Sequence, residues 1–182
     1  MRVGLLGGSF DPVHYGHLRA AEWALQAFGL DAVRLMPARQ SPFKNAAIAS
    51  DGDRLAMLNL AVKDNDALEI EACELNREPP SYTVDTLRVL TEQSPATEFT
   101  LILGSDAAAG IDEWRDASTV KQLAAIAILH RPGDPAPPQA PTFDGPAVSS
   151  TQIRTLIRSG HSIRYLTPEP VRRYIEEKGL YK

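Results

Sequence analysis

The chain has 182 residues, 43% of them hydrophobic, with 19 basic and 23 acidic side chains and a formal net charge of −4. That length supports one compact α/β domain and is short for two, and the acidic balance argues against nucleic-acid or anionic-membrane partners, leaving phosphate recognition to a local site. Cys73 is the only cysteine, which excludes an intrachain disulfide and a cysteine-based zinc site, and no apolar run approaches the roughly 18 residues of a membrane span.

The opening Met1–Leu6 is too short for a signal-peptide apolar region and meets glycine at once, so a cytoplasmic protein is expected. Val3–Leu6 predicts a buried first strand. Leu18, Ala21, Leu25 and Phe28 recur at helical spacing, and Gly29 is a natural stop. Ala32–Met36 predicts a second strand closed by Pro37, and Arg39–Asp53 a long polar loop. Leu55, Leu58 and Val62 mark a helix, and the alternation from Leu68 to Ala72 marks a strand exposed on one face. Pro79-Pro80-Ser81 precedes a helix carrying Val84, Leu87 and Leu90. Phe99–Leu103 and Ala125–Leu129 predict two more buried strands, with Trp114 and two short helices between them. Pro132–Pro146 holds six prolines and reads as a surface loop. Two helices follow, one starting at Ser149 and one with Thr167 as cap, Pro168 just inside and Gly179 just beyond.

Strands alternating with helices predict a Rossmann-like α/β fold, a parallel sheet with helices on both faces, in one domain spanning residues 1–182. Ligands of such sheets bind at the carboxyl ends of the strands. Attention therefore falls on the first strand-to-helix loop, Gly7-Gly8-Ser9-Phe10-Asp11-Pro12-Val13-His14-Tyr15-Gly16-His17. Its glycines let backbone approach a ligand. His14 and His17 lie three apart at a helix start, where free N–H groups and the positive dipole end suit phosphate. Gly16 removes a Cβ that would obstruct a nucleotide packed between the histidines. Neither a Walker A loop nor a GxGxxG fingerprint is present.

A second stretch, Val148-Ser149-Ser150-Thr151-Gln152-Ile153-Arg154, offers a capping box in Ser149 and Gln152 and hydroxyls in the first turn. Arg154 falls on the same side as Ser150, so hydroxyls, amides and guanidinium form a cradle for polyphosphate, although taken alone the stretch is an ordinary capped helix.

The first loop resembles the HxGH signature of the nucleotidylyltransferase superfamily, and the second stretch is similar to its ISSTxIR signature, with Val148 in place of isoleucine. The resemblance implies that His14 and His17 contact the ATP phosphates and stabilise the transition state. It implies further that Gly7, Gly8, Ser9 and Phe10 lie against the nucleotide, and that Ser149, Ser150, Thr151 and Arg154 hold the β- and γ-phosphates. Pro79–Leu87, with Ser81-Tyr82-Thr83 and Thr86-Leu87, resembles a stretch of bacterial nicotinate-mononucleotide adenylyltransferases. Gly104-Ser105-Asp106 followed by Trp114, and the tail from Leu166 to Tyr181, resemble them too, so the likeness covers nearly the whole chain.

By that resemblance the acceptor nicotinate sits near Thr83 and Trp114, Asp106 contacts the ATP ribose and Gly104 lies in the ATP site; Arg131, placed just after the strand Ala125–Leu129, is a further candidate to bind phosphate on the acceptor side. Taken alone, Thr83 reads equally as a residue of a helix N-cap region, Trp114 as a partly buried packing residue and Asp106 as an N-cap. The loop after the second strand departs from the family's Pro-Pro-His-Lys, since Phe43 replaces the histidine while Lys44 remains to reach a phosphate. His130 reads as structural and His161 as a solvated helix-end residue.

No nucleophile is paired with a base, and an acceptor phosphate brings its own nucleophile. The expected reaction is in-line attack of that phosphate on the ATP α-phosphorus, catalysed by positioning and charge stabilisation. Mg²⁺ is expected to arrive on ATP, since the sequence shows no carboxylate cluster dedicated to metal. Phosphopantetheine or nicotinamide mononucleotide as acceptor, and a non-catalytic nucleotide-binding module, are the competing readings. A homo-oligomer is compatible with all of them.

Overall fold

The structure, a computed structural model, describes residues 1–42, 46–131, 133–137 and 140–182. Five parallel strands form one sheet in the order β3-β2-β1-β4-β5, where β1 is Arg2–Gly8, β2 Ala32–Pro37, β3 Leu68–Ile70, β4 Glu98–Gly104 and β5 Ala124–Leu129. The chain winds outward from β1 to β3, then returns to the other side of β1 to lay down β4 and β5. The carboxyl ends of β1 and β4, paired over Arg2–Leu6 and Glu98–Ile102, flank the point where the winding reverses. That point is the crevice where such sheets bind ligands.

Period-two alternation in β1 separates two cores. Val3 and Leu5 face α3 (Thr83–Gln93) and α5 (Ala117–Leu123), joining Val84, Leu87, Leu90, Leu101 and Val120. Leu6 points the opposite way, toward α1 (Tyr15–Phe28), α2 (Asp51–Val62), α6 (Ser150–Arg158) and α7 (Glu169–Lys178), whose Ala21, Met57, Ile153 and Val171 are all fully buried. Gly4 shares that second face because nothing larger fits. A Cβ there would stand 2.8 Å from both Ile102 and Leu30 side chains.

Several expected boundaries move. The strand expected from Leu68 to Ala72 stops at Ile70, since after Glu71 donates to Leu35 the chain enters a 3₁₀ turn at Cys73–Asn76. Its outward Glu69 and Glu71 pair with Arg34 of β2, at 2.8 and 3.5 Å. The polar loop expected over Arg39–Asp53 ends earlier, because Ser50 caps α2 by accepting from Asp53 N–H at 3.1 Å. The two short helices near Trp114 are α4 (Ser105–Ala109) and α5, with a 3₁₀ turn at Ile111–Glu113 between them. α6 starts at Ser150, with Ser149 as its cap accepting from Gln152 N–H at 3.1 Å. Thr167 does not cap α7. Pro168 occupies that position, and the Thr167 hydroxyl donates instead to the Val13 carbonyl at 2.8 Å. Gly179 does end α7 in the left-handed conformation, at φ 63°.

Candidate active site

Loop 9–14 leaves β1 and feeds α1. Its carbonyls are taken up one after another by side chains from other elements. Arg54 of α2 donates to Ser9 O at 2.7 Å, Arg154 of α6 to Asp11 O at 2.7 Å, Ser150 of α6 to Pro12 O at 2.9 Å, and Thr167 to Val13 O at 2.8 Å. Ala38 N–H also closes on Gly8 O, at 3.0 Å. A loop held this way is preorganised, which is what positional catalysis requires.

His14 and His17 emerge from this platform with their rings stacked, centroids 3.7 Å apart and planes 20° apart. Three-residue spacing in the first turn of α1 brings them onto one side. Phe10, fully buried with φ 47°, lies edge-on beneath His17 at 4.8 Å. Its ring is therefore part of the floor, and only its backbone is left to approach a nucleotide. The expectation that Gly16 makes room for a nucleotide between the histidines is corrected. The rings lie against each other, and a Cβ at Gly16 would stand 3.0 Å from the His14 ring and 3.2 Å from Val148 O. Gly16 is needed so that His14 and the approach to α6 pack together.

Burial pushes the His14 pKa down to about 4, and the positive charge of Arg131 adds to the effect. The imidazole is therefore neutral at physiological pH. Its buried Nδ1 has no hydrogen-bond partner among the described residues, and the same holds for Arg154 Nε. Both nitrogens come from the two stretches that the sequence singles out.

The structure brings those two stretches together, and in doing so gives part of the second a different task. Ser150 and Arg154 spend donors on Pro12 and Asp11, while Arg154 also donates to Thr151 Oγ1 at 3.2 Å. Ser149 spends its oxygen on its own helix. Thr151 is exposed and Arg154 only partly so. Across the switch point, Gly104 holds the position before α4, and Asp106 is exposed in its first turn. Asp106 is thus a first-turn residue rather than the N-cap. Ser105 and the Arg131 N–H both donate to Asp134, at 2.6 and 2.8 Å. Phe43 and Lys44 lie outside the described residues.

Thr83 opens α3, and Tyr82 stands before it without giving a side-chain cap. Trp114 ends the 3₁₀ turn at Ile111–Glu113. The two neighbourhoods meet through Arg115, whose guanidinium lies 4.6 Å from the Tyr82 ring centroid and 3.5 Å from Asp85. Behind α3, buried Glu74 accepts from Thr86 at 2.7 Å, and Arg77 donates to Thr86 in turn. Burial raises the Glu74 carboxyl above its usual range. His130, which reads as structural, is buried and paired in a short bridge with Thr142. Cys73, half-buried, has its thiol pushed up to about 12, chiefly by burial.

Sequence reasoning missed Arg54, a fully buried arginine inside an otherwise apolar helix face, and the Tyr181 hydroxyl, and it gave the Thr167 hydroxyl the wrong partner. An arginine between Asp53 and Leu55 gives no periodic signal of its own, so only the packed structure shows what it serves.

A family model described as cytidylyltransferase-like matches residues 5–156. The probable nicotinate-nucleotide adenylyltransferase of Desulfitobacterium hafniense (strain Y51) is 42% identical over 198 residues, covering 100% of this chain and 96% of the relative. That of Geobacillus kaustophilus (strain HTA426) is 43% identical over 188 residues, covering 99% and 86%. Among solved structures, Plasmodium falciparum nicotinic acid mononucleotide adenylyltransferase complexed with NaAD superposes with a TM-score of 0.81 at 19% identity, covering 99% of this chain and 97% of that one.

Proposed function

We propose, from the premise that this chain belongs to the cytidylyltransferase-like family and to its nicotinate-nucleotide adenylyltransferases, that the stacked histidines beside the switch point are its reacting centre. The enzyme transfers AMP from ATP to nicotinate mononucleotide, giving nicotinate adenine dinucleotide and pyrophosphate, a step of NAD biosynthesis. The observation that supports the proposed centre is the convergence of His14, His17 and the start of α6 on one preorganised loop.

A phosphate oxygen of the acceptor attacks the ATP α-phosphorus as the bond to the bridging oxygen breaks and pyrophosphate departs with its electrons. Charge builds on the α-phosphoryl oxygens during that exchange. His14, neutral at rest, enters as an N–H donor, and the arriving triphosphate raises its affinity for a second proton. His17 donates beside it. Arg154 and Thr151 face the leaving pyrophosphate, while Ser150 serves by holding the loop. Mg²⁺ belongs with the ATP as part of the substrate, because a hard cation prefers phosphate oxygens and water. Thr83 and Trp114, whose neighbours Tyr82 and Arg115 are in contact, frame the nicotinate side.

The test is pyrophosphate release from ATP with nicotinate mononucleotide, nicotinamide mononucleotide and phosphopantetheine offered in turn. The first should give the highest kcat/KM, and preference for either of the others overturns the acceptor assignment. In the same assay His17→Ala should lower turnover by about 10²–10⁴-fold. A near-normal rate would remove His17 from the centre.

A further inference from the structure

Asp11 takes no part in the steps above, yet its carboxylate is buried to 3% exposure and gathers donors from three distant stretches. Oδ2 accepts from Ile48 N–H at 2.8 Å and lies 3.9 Å from the Arg154 guanidinium. Oδ1 accepts from Ala49 N–H at 3.0 Å and from the Tyr181 hydroxyl at 2.7 Å. Ile48 and Ala49 line a cavity of about 480 Å³ that also touches Arg39 and Pro79. One carboxylate thus joins the histidine loop, the wall of a neighbouring cavity, α6 and the segment beyond α7. A buried carboxylate is tolerated only when its lone pairs are met, so its orientation follows its donors.

We propose that Tyr181 and Asp11 are positioning residues for adenylyl transfer: the Tyr181 hydroxyl fixes the Asp11 carboxylate, and through it the histidine loop and the 46–50 segment. The inference rests on the histidine loop being the reacting centre. Tyr181 is itself immobilised, 7% exposed and held at φ 66° just after the left-handed turn at Gly179. Without its hydroxyl, Oδ1 keeps only the Ala49 amide, and the carboxylate is free to swing toward Arg154. Arg154 also holds the Asp11 carbonyl, so that swing pulls on backbone three residues from His14. Misplacement of a reacting group by about 1 Å can cost on the order of 10²-fold in rate.

The molecule supplies its own control. Tyr174 donates to Asp53 at 2.8 Å, the same bond type, joining α7 to α2 rather than to the Asp11 carboxylate. On the full chain, Tyr181→Phe should lower kcat about tenfold or more with ATP and nicotinate mononucleotide, and should shift the His14 imidazole NMR signals. Tyr174→Phe should leave both unchanged at a comparable Tm. Asp11→Asn should reproduce the loss, and the double variant with Tyr181→Phe should lose little more than either single one. Wild-type kcat in Tyr181→Phe overturns the proposal, as does an equal loss in Tyr174→Phe, which would mark a stability effect only. If His17→Ala kept full activity the reacting centre itself would be wrong and this inference with it. An inactive His17→Ala beside a fully active Tyr181→Phe would defeat this inference alone.

Discussion

At the scale of single residues, burial changes the ordinary protonation of groups in the histidine loop. His14 carries the clearest case. Free in solution an imidazole is half-protonated near pH 6.5, but in this fold burial brings its pKa down to about 4. The folded chain therefore declines a proton that the unfolded chain accepts. As pH falls from about 6.5 toward 4 the unfolded state binds more protons, so His14 costs stability across that window and costs none above it. NMR titration of the free enzyme should place His14 near the lower value, and a saturating non-hydrolysable ATP analogue should move it upward. A midpoint near 6.5 in the free enzyme, unmoved by the analogue, would contradict both the burial and the phosphate contact.

The elements matter by what they do to one another's loose ends. α6 has its own cap in Ser149, so its next hydroxyl is released for another task, and Ser150 uses it on the Pro12 carbonyl. α2 contributes Arg54 in the same manner, its guanidinium shared between Ser9 O and Asp51. The histidine loop has little regular structure of its own, and its shape is the sum of these outside bonds. Ser150→Ala should cost about 1 kcal/mol of stability, the net worth of one such hydrogen bond. It should also raise the KM for ATP while changing the KM for nicotinate mononucleotide much less. Denaturant unfolding together with steady-state kinetics would read both, and equal effects on the two KM values would contradict the assignment of α6 to the nucleotide side.

For the whole molecule, the order β3-β2-β1-β4-β5 explains where everything gathers. Reversal of the winding between β1 and β4 leaves their carboxyl ends with no crossover helix above them, and the histidine loop, Gly104 and Asp106 all leave from there. Among the described residues no helix is long and apolar enough to cross a membrane. Because the site ties α1, α2, α6 and α7 to one loop, ligand binding should be felt by the whole domain. An ATP analogue at about 100 times its Kd should stabilise the fold by about 2.7 kcal/mol. For a chain of this length that is a rise in Tm of roughly 5–10 °C. Thermal unfolding with and without the analogue measures it, and an unchanged Tm would mean that the analogue does not bind the folded state.

Local pattern was enough for much of this protein. Short apolar runs marked four of the five strands, as burial between two helical layers demands, and alternation marked the third, while the two glycine- and hydroxyl-bearing helix starts pointed to phosphate because free amides and dipole ends are properties of a helix start wherever it occurs. Tertiary structure alone decided which donors remain for substrate. Arg154 and Ser150 read from sequence as phosphate ligands, but a carbonyl-rich loop more than 130 residues away claims part of their capacity, at separations of 143 and 138 residues. Thr167 reads as a helix cap for the same reason, because sequence shows a hydroxyl before a helix and cannot show Val13 O waiting for it. The Asp11–Tyr181 bond spans 170 residues and leaves no periodic trace in the chain. Periodicity records what each segment must bury, whereas a polar side chain's partner is fixed only when distant segments are packed together.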